Sequence, residues 1–171
     1  MEPGSKILEW PLKNVWVGTS VEDQKRADER IQILLQVPAT VRFLSMEPLL
    51  GEVKLPAIMK KADWRELHWV IVGGESGPGA RPMHPNWART IRDDCARHGV
   101  AFFFKQVDSN SWVNDRQAKE FLSVVGRVSS QRVHVSDQGL LRGSKKSGGR
   151  LLDRKLHEQM PVVSSRTPRK S

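Results

Sequence analysis

Four short apolar segments, separated by stretches with helical spacing, constrain the fold of this 171-residue chain more than any other feature. They are found within Lys13–Val21, at Val41–Met46, at His68–Val72 and at Val100–Phe104. The third, HWVIV, is nearly continuous in apolar residues, as a strand buried on both faces would be. Strands that alternate with helices are typical of parallel βα units. The sequence therefore predicts an α/β fold built on a parallel sheet.

A long helix is predicted between the first two strands. Ser20, with Asp23 three residues later, has the form of a capping box. Apolar residues then recur at helical spacing at Ala27, Ile31 and Leu34. Pro38 should end this helix, because the residue before a proline disfavours helical geometry.

A second long helix is predicted between strands three and four. Pro85 suits its first turn, Ile91 and Cys95 lie on one face, and Gly99 is a plausible terminator in the left-handed conformation. The connection from Pro56 to Glu66 is expected to be a loop with a short helix. The six tryptophans are scattered, and we expect most of them at core-facing positions.

The βα pattern weakens after Gln106, and three regions are predicted: 1–106 as the β/α part, 107–161 as an irregular closing segment and 162–171 as a disordered basic tail. Of the 28 basic and 19 acidic residues, nine and two lie in Arg142–Ser171, so this end carries a charge of +7 and the rest only +2. Such a tail can bind nucleic acid weakly and non-specifically through its phosphates, or it can be a solvated end.

Composition excludes several classes of protein. No apolar run approaches the roughly 18 residues of a membrane span, and the first residues have no signal-peptide core. Cys95 is the single cysteine, so no internal disulfide can form, and a cytoplasmic location without membrane contact is expected. No CxxC, HExxH or histidine pair is present, so no metal site is predicted.

Polar residues follow each predicted strand. In parallel α/β folds ligands bind at the carboxyl ends of the strands, so these residues are the candidate site. They are Ser20, Glu22, Glu47, Gly73, Gly74, Glu75, Ser76, Arg81, His84 and Lys105. Three carboxylates and one ammonium could bind an amine-bearing ligand or a metal, or act as acid and base.

Structural alternatives stay open for several candidates. Glu22 is as well explained by completing a helix N-terminus, and Lys105 by neutralising Glu47 or Glu75. His84 is favoured as a helix cap, and Arg81 either binds an anion or pairs with Glu75. Gly73 and Gly74 are expected to turn the backbone out of the strand and leave Glu75 facing the site.

The glycine loop GGESGPG does not fit the common catalytic or phosphate-binding motifs. It is not the GxSxG of a hydrolase, and it lacks both the Walker lysine and the GxGxxG spacing. An α/β ligand- or phosphate-binding module remains one alternative function.

Five segments together resemble an uncharacterised phage and prophage protein family that is radical-SAM-like and has a three-cysteine motif near its N-terminus. They are NVWVGTSVE (14–22), RFLSMEPLLG (42–51), WVIVGGESGPGARPMHPNWAR (69–89), FFFKQ (102–106) and GRLLDRKLHEQMP (149–161). The chain resembles only the C-terminal half of such a protein. Similar proteins continue FFFKQ with Trp-Gly, whereas VDSNSW follows here.

The resemblance implies half of a partial β/α barrel, with S-adenosylmethionine (SAM) and a 4Fe-4S cluster bound by a complete family member. Cys95 alone cannot bind the cluster, so no cofactor is assured for this chain. It is expected to be a truncated or split protein, inactive alone. We expect it to associate with a chain that carries the missing half, or with itself through open sheet edges.

Overall fold

The computed structural model describes residues 10–77, 80–106, 134–135, 141–142, 150–153 and 155–163. Its centre is a four-stranded sheet whose strands are all parallel and follow one another in the order β1-β2-β3-β4. The strands are β1 (Trp16–Ser20), β2 (Val41–Met46), β3 (Trp69–Gly73) and β4 (Ala101–Gln106). The predicted α/β class is confirmed, and this strand order is the one that half of a β/α barrel has.

Helices connect the strands. Helix α1 spans Gln24–Gln36, α2 spans Leu55–Ile58 and continues into two 3-10 turns at Met59–Lys61 and Trp64–Glu66, and α3 spans Pro85–His98. Short antiparallel pairs follow: β5 (His134–Val135) with β6 (Leu141–Arg142), and β7 (Leu151–Leu152) with β8 (Lys155–Leu156).

The caps of the helices differ in part from the prediction. The N-cap of α1 is Asp23, whose side chain accepts a hydrogen bond from the Arg26 amide, so the predicted capping box starting at Ser20 is wrong. Ser20 is still the last residue of β1, too early to cap the helix. In α3, Pro85 lies in the first turn and Gly99 ends the helix with a φ of 71°, as predicted.

All three helices pack against one face of the sheet. The core contains alternate strand residues such as Leu44, Val70 and Phe102, together with Ile31 from α1 and Ile91 from α3. Consecutive right-handed βα crossovers place their helices on the same side of a sheet, which explains this one-sided packing.

The opposite side of the sheet, which we call the open face, is only partly buried. It carries Trp16, Gly18, Phe43, Ser45, Trp69, Ile71 and Phe103. The centroid of the Trp69 ring is 6.0 Å from the ring centroids of Trp16, Phe43 and Phe103. The expectation that β3 is buried on both faces is therefore wrong, since no described helix covers this side. Among the described tryptophans, Trp64 and Trp87 pack against the core as expected, whereas Trp16 and Trp69 lie on the open face and Trp10 is exposed.

One edge of the sheet is partly paired. The Phe104 amide donates to the His157 carbonyl, and the Gln159 amide donates to the Phe102 carbonyl, so residues 157–159 run antiparallel along β4. The prediction of an open edge is thus wrong for this part of β4. The preceding β7–β8 hairpin contributes Leu152 to the core.

The predicted boundaries at 106 and 161 stay a prediction, because residues 107–133 and 164–171 lie outside the described part of the chain. The basic tail falls there almost entirely. Among the described helices, none combines the length and hydrophobicity needed to cross a bilayer.

Candidate functional site

The carboxyl ends of three adjacent strands bring Glu47, Gly73 and Lys105 together. Glu47 directly follows β2, Gly73 ends β3 and Lys105 lies near the end of β4. The Glu47 Oε2 atom is 3.1 Å from Lys105 Nζ, although β3 lies between the two parent strands. The prediction that these two residues share one rim is confirmed by this contact.

Gly73 makes the contact across β3 possible. A Cβ atom at this position would be 2.9 Å from Glu47 Oε1, closer than real Cβ contacts come. Neither Gly73 nor Gly74 has a positive φ. Space for the carboxylate, rather than backbone freedom, is therefore the requirement at Gly73, which corrects the expectation from the sequence.

Backbone hydrogen bonds fix the glycine pair. The Leu49 amide donates to the Gly73 carbonyl, and the Gly74 amide donates to the Gln106 carbonyl, both at 2.9 Å. The Gln106 side chain in turn donates to the Gly74 carbonyl at 3.3 Å. The backbone at the end of β3 is therefore held on both sides, by the residues that follow β2 and by the end of β4, and it is not a free loop.

Glu47 has one oxygen whose hydrogen-bonding capacity is unused. Oε1 is buried and has no partner among the described residues. The indole Nε1 of Trp69, on the open face, is also buried and has no partner among the described residues. Buried polar atoms are normally paired, because an unpaired one costs roughly 1–3 kcal/mol. Asp94 Oδ2, on α3, is likewise buried and without a partner among the described residues.

Glu22 does not join this pair. It forms an ion pair with Arg30 of α1 at 3.3 Å, and the same guanidinium donates to the Ser20 carbonyl at 2.8 Å. Asp23, rather than Glu22, caps α1, so the alternative in which Glu22 completes the helix N-terminus is wrong as well, and Glu22 instead pairs with a residue further along the helix. The Ser20 side chain is exposed at the end of β1.

Glu75 is also occupied by its own loop. Both of its oxygens accept from the Arg81 guanidinium, at 3.0 Å and 2.8 Å, and one also accepts from the Arg81 amide at 2.7 Å. These hydrogen bonds lower the pKa of Glu75 to about 2. Glu75 is therefore ionised and paired with Arg81, as one of the two alternatives for Arg81 predicted, and the expectation that Glu75 faces the site stays a prediction. Ser76 is exposed beside it.

His84 caps α3. Its Nδ1 atom accepts a hydrogen bond from the Asn86 amide at 3.2 Å. The cap interpretation is confirmed, and a nitrogen that accepts from the backbone is not available as a base. The three carboxylates of the predicted cluster thus each pair with a different cation, and only Glu47 pairs with Lys105.

Gln106, which follows Lys105 directly at the end of β4, is also a polar residue at a predicted strand end, and the structure places its side chain on the Gly74 carbonyl. The open face with Trp69 had no signal in the sequence. A run such as WVIV does not show which of its residues face the core, so it cannot reveal the open face. In the structure, only Val70 and Val72 of this run point to the core.

The described side chains cannot bind an iron–sulfur cluster. Cys95 is buried in the core, and burial raises the pKa of its thiol to about 12. Within the described ranges no three His, Cys, Asp or Glu side chains lie close enough together to bind a metal ion. This chain alone cannot supply the thiolates of an iron–sulfur cluster.

A model of DUF5131, a family of proteins of unknown function, matches residues 2–161. The chain belongs to the DUF5131 family. No curated protein matches the chain, and no solved structure does. The DUF5131 match extends over the sheet, the helices and the C-terminal segment that pairs with β4, so all of these belong to one family region. The expectation of an uncharacterised family is confirmed.

Proposed function

We propose that this chain forms half of a β/α-barrel site in which Glu47 and Lys105 bind the charged groups of an amine-bearing ligand. The other half would come from a further polypeptide that covers the open face. On this proposal the chain alone is inactive, because it holds only half of the site.

The unpaired Oε1 of Glu47 is the observation that carries the proposal. Its carboxylate is only 19% exposed, and Lys105 satisfies Oε2 alone. A ligand ammonium offers three donors, and it would contact Oε1 once the carboxylate turns, because Oε1 itself is buried. Lys105 is 56% exposed, so its ammonium can contact a ligand anion while it stays paired with Glu47.

The ligand that fits these two groups and the family resemblance is SAM. Its methionine part carries an ammonium for Glu47 and a carboxylate for Lys105. In a complete radical-SAM protein the cofactor supplies an organic radical after reductive cleavage, and the cluster that drives this step would have to be bound outside the present chain. The contribution of this chain is to bind and orient, with Gly73 leaving room for the Glu47 carboxylate.

The open face has a second role in the proposal. Its aromatic side chains, centred on Trp69, would exclude water once a partner covers them. Exclusion of water strengthens the charge pairing at the rim. Phage origin is suggested by the same resemblance and is proposed with it.

Calorimetric titration of the chain with SAM tests the ligand. We expect Glu47→Gln to weaken binding roughly tenfold, as loss of a charged hydrogen bond does. The matched control is Glu52→Gln, since Glu52 is exposed and, within the described ranges, pairs only with Lys54 at 4.0 Å. Decarboxylated SAM keeps the ammonium but has no carboxylate for Lys105, so we expect it to bind more weakly than SAM. Equal effects of Glu47→Gln and Glu52→Gln would sink the proposal.

Light scattering after size-exclusion chromatography tests the incomplete barrel. The chain should self-associate, or bind a second polypeptide added to it, because apolar aromatic surface on the open face favours burial. A monomer whose tryptophan fluorescence stays unchanged with every candidate partner would contradict this part.

A further inference from the structure

A groove of about 770 Å³ lies at the amino ends of β3 and β4, opposite the Glu47 rim. Its walls are the 3-10 turn Trp64–Glu66, the last turn of α3 and residues 159–162 of the segment that pairs with β4. Sites for small molecules usually have volumes of about 300–1,000 Å³, so the groove has room for a ligand of ordinary size.

One wall is a preformed aromatic stack. The Trp64 and His98 rings are 4.0 Å apart with planes only 5° from parallel. Met160 and Val162 face the same groove and are 54% and 90% exposed. Apolar side chains that remain this exposed next to a fixed aromatic wall favour the binding of a flat apolar body.

The polar side chains that line the groove are donors. The Arg65 side chain has no hydrogen bond or ion pair within the described part of the chain, and it is exposed. Gln159 Oε1 accepts from the Phe102 amide at 3.0 Å, which leaves the NH₂ group to donate. His68 Nδ1 accepts from the Arg42 amide at 3.1 Å, so a neutral His68 carries its proton on Nε2.

No aspartate or glutamate is among the described residues that line this groove. The end of α3 brings a partial negative charge of about half a unit, which is smaller than the full charge of Arg65. Arg97, in the same turn, pairs with Asp94 and adds no net charge. Asp63, next to Trp64, accepts a hydrogen bond from the Arg65 amide, so its carboxylate offsets part of the Arg65 charge. The preference for an anion therefore rests on the donors that line the groove, the Arg65 guanidinium and the Gln159 amide.

We propose that this groove binds a small aromatic acid, whose ring packs against Trp64 and Met160 and whose carboxylate or phosphate contacts Arg65 and the Gln159 amide. The site is separate from the Glu47 rim, since the two lie at opposite ends of the strands. An experiment that disproves binding in the groove would not bear on the proposed half-barrel site. An experiment that disproves the half-barrel site would likewise not bear on the groove.

The test uses three probes with one ring system: naphthalene-1-acetate, 1-naphthyl phosphate and 1-naphthylmethylammonium. Saturation-transfer NMR and calorimetry would measure their binding to the full chain. We expect both anions to bind and the cation to bind at least tenfold more weakly. The tighter of the two anions identifies whether a carboxylate or a phosphate is preferred.

Two variants locate the site. Arg65→Gln should weaken anion binding roughly fivefold, the value of one exposed charge contact, while Arg26→Gln on α1 should change nothing. Ala96→Trp places a large ring in the groove from an exposed helical position and should abolish binding. Circular dichroism would verify that each variant is folded. Equal binding of cation and anions, or binding that survives Ala96→Trp, would overturn the proposal.

Discussion

The carboxylate of Glu47 contacts the ammonium of Lys105 across a strand that belongs to neither residue, with 3.1 Å between Oε2 and Nζ. The strand between them ends in Gly73, whose missing side chain leaves the space for the carboxylate. The missing side chain at Gly73 thus leaves room for the Glu47 carboxylate in its present position, and a single methyl group should make that carboxylate shift.

Gly73→Ala tests this requirement. The new Cβ would be 2.9 Å from Glu47 Oε1, so the carboxylate must move away from its present position. We expect a loss of about 1 kcal/mol in the free energy of unfolding, at the low end for overpacked sites, because the atom that must move is the end of a flexible side chain; urea denaturation measures it. Gly51→Ala is the control, because its Cβ would meet Asp23 Cβ at an ordinary 3.7 Å. Equal stability of the two variants would contradict the spatial role of Gly73.

Lys105→Met tests the partner. The variant leaves the largely buried Glu47 carboxylate without its cation, which we expect to cost about 1–3 kcal/mol of stability. The double variant Glu47→Gln, Lys105→Met removes both charges and should recover most of that loss, because replacing a pair costs less than breaking it. Urea denaturation of the wild type, both single variants and the double variant would complete the thermodynamic cycle. Additive effects would show that the two residues are not coupled.

The rim could be predicted from the sequence because parallel strands end at one edge, and each apolar segment ended in polar residues. What could not be predicted is which charges pair. Glu22 and Glu75 do not pair with Lys105 but with arginines that are close in the sequence, Arg30 and Arg81 respectively. Local pairing of this kind depends on side-chain reach and loop geometry, and neither is visible in spacing.

The one-sided burial of the sheet also escaped prediction. Strand β3 carries apolar residues on both faces, and this pattern is the same whether a second layer of protein is present or not. Only the positions of α1 and α3, both on one side, reveal that Trp69 and Phe43 belong to the open face. The fold class followed from the order of segments, whereas coverage depends on tertiary packing.

The Glu75–Arg81 pair should make the glycine loop sensitive to acid. The pKa of Glu75 is about 2 in the folded chain, below its ordinary 4.5, so its stabilising contribution is complete above pH 4.5 and is lost as the pH falls towards 2. Carboxyl NMR titration should find this low pKa, and Arg81→Gln should raise it towards the ordinary value. A Glu75 pKa near 4.5 in the wild type would contradict the pairing.

Cys95 should be unreactive in the folded protein. Burial raises the pKa of its thiol to about 12, so almost no thiolate is present near pH 8. We expect no reaction with Ellman's reagent under native conditions and one thiol per chain in urea, since this is the single cysteine. Rapid native labelling would mean that α3 is not packed as described, and it would reopen Cys95 as a ligand or nucleophile.

Asp153 should anchor the segment that covers the edge of β4. Its carboxylate accepts from Arg89 at 3.0 Å and from Arg92, so it ties the β7–β8 hairpin to α3. Asp153→Asn removes the charge, and asparagine still tolerates the positive φ of 53° at this turn. We expect a loss of about 1 kcal/mol and faster hydrogen exchange of the Phe104 amide, which donates to His157. Asp93→Asn is the control, because Asp93 also pairs with Arg92 but lies within α3. Unchanged exchange at Phe104 in Asp153→Asn would mean that backbone pairing alone secures this edge.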